Sequence, residues 1–237
     1  VDITFSSGAD TLRGTLAVPS GEGPWPGVIV VHDIFGLTSD LRSQCEWLAS
    51  AGFLALGPDL FSRTNKLSCL RSLIMDLHAR RGPTFDALEA ARTHLLHDER
   101  CSGDVGIIGY CIGGGFSLLL APSHHYAVAG VNYGDVPSDL ETVLAGACPV
   151  VASYGKKDRV LRGKAAKLEG ALSANGVEND VKEYPDAGHG FLNDHDGRAA
   201  IFIAVMGRLV GIRGDDASAR DARRRIIDFF SRYLKAS

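Results

Sequence analysis

The chain has 237 residues, of which 45% are hydrophobic, enough to build a sizeable core in one large domain and too many for a disordered chain. Its 28 acidic and 25 basic residues leave a net charge of −3, which excludes a nucleic-acid-binding surface spread over the whole molecule. The dense basic run Arg223-Arg224-Arg225 falls in a helical pattern and reads as a solvated helix face. No basic leader followed by an apolar block opens the sequence, so no signal peptide is expected. Nor does any stretch approach the roughly 18 apolar residues that a membrane span requires. Five cysteines without CxxC spacing fit a reducing, cytoplasmic setting, with thiols that pack or react rather than pair.

Residues 3–18 alternate in the manner of antiparallel edge strands. The apolar run Val28-Ile29-Val30-Val31, preceded by Pro24-Trp25-Pro26-Gly27, predicts a strand buried on both faces. A helix over 39–51 with Gly52 as its stop leads to a short strand over 53–56. Helical patterns occupy 67–80 and 84–97. A strand over 105–108 runs through Gly109-Tyr110-Cys111-Ile112-Gly113 into an apolar helix over 115–121. Strands follow over 127–132, 150–154 and 180–184, with helices over 138–145 and 163–174 and a last amphipathic helix over 217–234. This alternation predicts a single α/β domain over 1–237, a mostly parallel sheet with helices on both faces. Residues 197–214 interrupt the pattern. Residues 199–206 within them are apolar on all sides and must be buried in something, whether the domain's own core, a cover over the site or a subunit contact.

The segment Gly109-Tyr110-Cys111-Ile112-Gly113-Gly114-Gly115 joins an apolar strand to an apolar helix, the setting of a nucleophile elbow. A sharp turn there lifts the central side chain above the sheet edge, and glycines two positions to either side let the helix approach. The central residue is Cys111 where G-x-S-x-G has serine, and the amides opening the next helix favour thiolate. Asp158 ends Tyr154-Gly155-Lys156-Lys157-Asp158 in a loop after a strand. His189 stands between glycines in Asp186-Ala187-Gly188-His189-Gly190-Phe191. Nucleophile, acid, histidine is the chain order of the α/β-hydrolase fold.

These segments, with His32-Asp33-Ile34-Phe35-Gly36-Leu37 and Gly57-Pro58-Asp59-Leu60-Phe61, make the sequence resemble the dienelactone hydrolase family, the cysteine-dependent branch of the α/β-hydrolases, from about Gly14 to Leu234. The resemblance implies an enzyme that cleaves lactones or activated enol and aryl esters. Cys111 would be the nucleophile, His189 the proton carrier and Asp158 its orienting acid. The backbone N–H of Ile112, with that of Ile34 assigned by the resemblance, would form the oxyanion hole. The family has glutamate at the position of Asp33, where it contacts the resting thiol, so Asp33 is the candidate for thiol activation. The family's arginine after the histidine, which binds a substrate carboxylate, has no counterpart in Phe191-Leu192-Asn193-Asp194. Arg71, Tyr133 and Phe191 are the candidates for substrate contacts. A thioesterase or acyltransferase with the same triad, or a non-catalytic binding protein of this fold, are the competing readings.

His94 and His97, His124 and His125, and His195-Asp196 assemble no zinc-like ligand spacing, and the glycine turn is not G-x-G-x-x-G. Neither a metal nor another cofactor is therefore expected. The expected partner is a small-molecule ester or lactone, not nucleic acid or membrane, acting on a monomer or homodimer.

Overall fold

The computed structural model describes residues 1–62, 66–196, 211–212 and 214–234. Its strands are β1 (Asp2–Ser7), β2 (Asp10–Ala17), β3 (Trp25–Val31), β4 (Leu54–Pro58), β5 (Cys101–Tyr110), β6 (Ala129–Asn132), β7 (Val150–Gly155) and β8 (Asn179–Tyr184). They form one eight-stranded sheet in the order β1-β2-β4-β3-β5-β6-β7-β8. β1 pairs antiparallel with β2, and β2 with β4. From β4 to β8 every pairing is parallel.

The helices are α1 (Ser39–Ser50), α2 (Lys66–Ala79), α3 (Pro83–Leu96), α4 (Ile112–Leu120), α5 (Leu140–Val143), α6 (Lys164–Ala174) and α7 (Asp216–Tyr233). Strands β3, β4 and β7 are buried along nearly their whole length, as a parallel sheet covered on both faces requires. Among the described residues no helix is long and apolar enough to cross a membrane. The apolar segment 199–206 lies outside the described residues.

Three helices depart from the bounds read in the sequence, and for two of them the cause is local. The helix expected from residue 115 begins at Ile112, so three consecutive glycines form its first turn. Glycine is a poor helix former, but the site leaves no alternative: a Cβ on Gly113 would sit 2.3 Å from the Val31 carbonyl oxygen. The helix expected over 138–145 contracts to a single turn, α5. α7 opens one residue earlier than expected because Asp215 caps it, its carboxylate accepting the Ser218 N–H at 2.8 Å.

In parallel sheets of this kind the carboxyl ends of the strands carry the functional groups. Cys111 follows β5, near the centre of the sheet between β3 and β6. Asp158 follows β7, His189 follows β8, and Ile34 follows β3.

Candidate active site

Cys111 links β5 to α4 with φ 56° and ψ −119°. A non-glycine residue at positive φ costs of order 1–3 kcal/mol and persists only where its surroundings over-determine it. Here they do. The Cys111 N–H donates to the Asn132 carbonyl at 3.0 Å, and the Cys111 carbonyl accepts the Gly114 N–H at 3.0 Å. The thiol is thereby held at the N-terminus of α4, half-buried rather than sealed in the core. The Ile112 N–H is the first amide of that helix, one of the four that the helix itself cannot satisfy.

The His189 Nδ1 meets Asp158 Oδ2 at 2.7 Å, and the Cys111 thiol lies close enough to the imidazole to help raise its pKa. A carboxylate can only accept, so Nδ1 carries hydrogen and Nε2 is the nitrogen left for sulfur. Asp158 is only 1% exposed. Its second oxygen, Oδ1, accepts the N–H groups of Val160 at 2.8 Å and Leu161 at 3.2 Å, which fixes the carboxylate plane. Burial pushes the His189 pKa down, but the hydrogen bonds to Asp158 and Cys111 outweigh it and raise it to about 10.

Close backbone approach sets the histidine loop. A Cβ on Gly155 would lie 2.6 Å from the carbonyl oxygens of Ala187 and Gly188, so glycine there lets the loop dock on the end of β7. The His189 N–H donates to the Gly211 carbonyl at 2.9 Å. Tyr133, also at positive φ, is fully buried and stands edge-on to the imidazole with ring centres 5.2 Å apart. Phe191 is buried too, packed on Tyr133 and Tyr184. Arg71 is exposed on α2.

The turn after β3 is built from side-chain bonds. The His32 ring bridges the Asp33 carbonyl (Nδ1, 2.5 Å) and the Leu60 N–H (Nε2, 3.1 Å), so it is neutral with hydrogen on Nδ1. Burial holds its pKa below the ordinary value, which agrees with that tautomer. Asp33 Oδ1 accepts the Phe35 N–H at 2.8 Å, and Asp33 Oδ2 pairs with His195 Nε2 at 2.8 Å. The Asp33 carboxylate is therefore engaged by the turn and by a histidine.

Sequence reasoning set His195 aside as a non-ligand and did not single out Asp40 or Asn193. The fold gathers all three beside Asp33. One ligand atom each from Asp33, Asp40 and His195 lies within 4.8 Å of the others. The Asp40 oxygens accept the Asn193 side-chain amide and the Asp194 N–H, each at 2.6 Å. The cluster is a hydrogen-bonded knot with internal charge pairing. Burial drives the Asp40 carboxyl pKa up against those two bonds. Burial lowers that of His195, but the bond to Asp33 and the nearby carboxylates override it and raise it. A histidine a few residues beyond His189 was the one signal the sequence offered.

A family model described as the dienelactone hydrolase family matches residues 12–234. The chain belongs to the dienelactone hydrolase family. It is accordingly a member of a hydrolase family with an α/β fold, as the sequence motifs implied. A carboxymethylenebutenolidase from Rhodococcus opacus is 28% identical over 242 residues, covering 93% of this chain and 88% of that protein. Among solved structures, a dienelactone hydrolase-like promiscuous phosphotriesterase from metagenomic libraries superposes with a TM-score of 0.78 at 21% identity, covering 99% of this chain and 98% of that one. A dienelactone hydrolase from Anabaena variabilis gives 0.66 at 20% identity, covering 99% and 98%. At such identities the two structures attest the shared fold.

Proposed function

We propose that this member of the dienelactone hydrolase family cleaves lactones or activated enol and aryl esters through a covalent acyl-cysteine. The observation that carries this reading is the part-buried His189–Asp158 hydrogen bond beside Cys111, whose sulfur stands at a strained elbow on the N-terminus of a helix. The Rhodococcus opacus relative is named for a butenolide, a lactone, which supports the same substrate class.

In this mechanism the Cys111 thiolate attacks the substrate carbonyl while His189 keeps the proton, and Asp158 stabilises the imidazolium. The carbonyl electron pair moves onto oxygen, held by the N–H groups of Ile112 and Ile34, and each such donor is typically worth about 2.7–4 kcal/mol in the transition state. Collapse re-forms the carbonyl and breaks the single bond from its carbon to the leaving oxygen, and His189 gives its proton to the departing alcohol or enol. Water then gives a proton to His189 and attacks the thioester, releasing the acid and restoring the thiol.

Sulfur restricts what can be cleaved. A thiol ionises near ~8.5, far below a simple alcohol, so from the tetrahedral intermediate the thiolate departs before an alkoxide does. Enolates and phenolates compete with it. Aryl esters should therefore turn over much faster than ethyl esters of the same acid, and equal rates would count against a sulfur nucleophile.

The direct test is intact-mass spectrometry after exposure to an aryl acetate. An acetyl adduct that is absent from Cys111→Ala supports the proposal. An adduct retained in that variant, or none across lactones, aryl esters and thioesters, would favour a different nucleophile or a binding protein.

A further inference from the structure

The loop carrying His189 is fastened to α1 and to the β3–α1 turn at successive points. Leu192 accepts a hydrogen bond from the Gln44 side chain at 2.8 Å, and Asn193 and Asp194 donate to buried Asp40. Asn193 also accepts the hydroxyl of Tyr133, the residue that packs on His189. The last fastener is His195. Its side chain is 6% exposed and that of Asp33 is 7% exposed, with the 2.8 Å contact between them. The imidazole also stands edge-on to the Phe35 ring, with centres 4.7 Å apart. Asp33 and Phe35 are the residues on either side of Ile34, and Asp33 Oδ1 ties the two together through the Phe35 N–H.

We propose that His195 is a positioning residue that grips Asp33 and Phe35 so that the Ile34 N–H between them faces the oxyanion formed at Cys111. The inference rests on the acyl-cysteine reading above. It gives Asp33 a different task from the contact with the resting thiol expected of the family's glutamate: both its oxygens serve the turn. An oxyanion donor must be in place before charge develops, since its value lies in needing no reorganisation at the moment of reaction. A turn of this kind has no regular secondary structure to fix its amide direction, so side-chain bonds must do so.

Two reactions at the same sulfur separate this role from any effect on the thiol. Acylation by p-nitrophenyl acetate passes through an oxyanion. Alkylation by iodoacetamide displaces iodide at carbon and forms none, yet it depends on the thiolate in the same way. In His195→Leu, acylation of Cys111 should slow about 10- to 100-fold, less than the roughly 10²–10³ lost when a donor is removed outright. Alkylation at Cys111, read by peptide mapping, should stay within about twofold. His195→Gln, which can still donate from its amide to Asp33, should recover most of the acylation rate.

Leaving the Asp33 carboxylate buried and unpaired is destabilising. If His195→Leu does not fold, Asp33→Asn removes the charge, keeps the acceptor for Phe35, and should show the same selective loss of acylation. Unchanged acylation in a folded variant would overturn the proposal. So would acylation and alkylation falling in parallel, which would place Asp33 and His195 in thiol activation. Failure of the acyl-cysteine reading would show itself separately, as a wild-type protein that takes no acyl group at Cys111.

Discussion

Asp158→Asn tests the electrostatics of the site most sharply. The amide matches the carboxylate in shape, so Oδ1 keeps its bonds from Val160 and Leu161 at 2.8 and 3.2 Å. At the other end an NH₂ group replaces the oxygen that met His189 Nδ1 at 2.7 Å. Two donors cannot face each other, so hydrogen moves from Nδ1 to Nε2. The nitrogen facing sulfur is then already protonated and cannot take the thiol's proton. The magnitude has two parts. His189 holds its proton up to about 10 instead of 6.5. At about 1.36 kcal/mol per pH unit, Asp158 and Cys111 together outweigh burial by on the order of 5 kcal/mol. The Asp158 hydrogen bond is the largest of the interactions that raise the pKa, so its loss removes a substantial share of that stabilisation. The wrong tautomer adds to this, and the expected loss in kcat/KM for an aryl acetate is about 10³–10⁴. The assay is stopped-flow release of the phenolate, with thermal melting to establish that the variant is folded. A folded Asp158→Asn protein within about tenfold of wild type would refute the reasoning.

Gly113→Ala should destabilise the fold by about 3 kcal/mol, because its Cβ would press on the Val31 and His32 carbonyl oxygens at 2.3 and 2.6 Å; denaturant unfolding measures it, and a neutral result would mean that α4 can shift. The raised His189 pKa also makes stability pH-dependent. Its contribution is complete below about 6.5 and is lost as pH rises through about 10, so the unfolding free energy should fall over that window more steeply in wild type than in Asp158→Asn. Among the cysteines, burial pushes the Cys148 thiol up to about 12 and raises that of Cys45 as well, whereas Cys111 lies at a helix N-terminus beside His189. Limited iodoacetamide treatment of the native protein near neutral pH should therefore label Cys111 first, and preferential labelling of Cys148 would contradict the assigned environments.

Much of this protein can be read from its residues in order. Alternating buried strands and amphipathic helices specify a mostly parallel α/β sheet, because burial on both faces leaves its mark as continuous apolar runs such as Val28–Val31. The glycines around Cys111 mark where backbones must pass closely, and Gly190 beside His189 takes a positive φ of 72°, constraints local enough to leave a signature in a few residues. Chain order and glycine spacing thus brought Cys111, Asp158 and His189 forward as candidates.

What the linear pattern does not contain is pairing between side chains of ordinary type that lie far apart in the chain. Nothing local distinguishes His195, Asn193 or Asp40 from surface residues of a loop and a helix start. They become a hydrogen-bonded knot only because the loop after β8 folds back against the turn after β3 and the start of α1. Tyr133 and Phe191 were expected to contact substrate, and the fold buries both, with Tyr133 packed on His189 and Phe191 on Tyr133. The sequence by itself determined the order of the strands and helices and singled out the candidate reactive side chains, since these readings depend on local geometry and periodic burial. Only the tertiary structure decided what each carboxylate and imidazole pairs with, because a charge taken out of water must find its partner wherever the fold brings one within hydrogen-bonding distance.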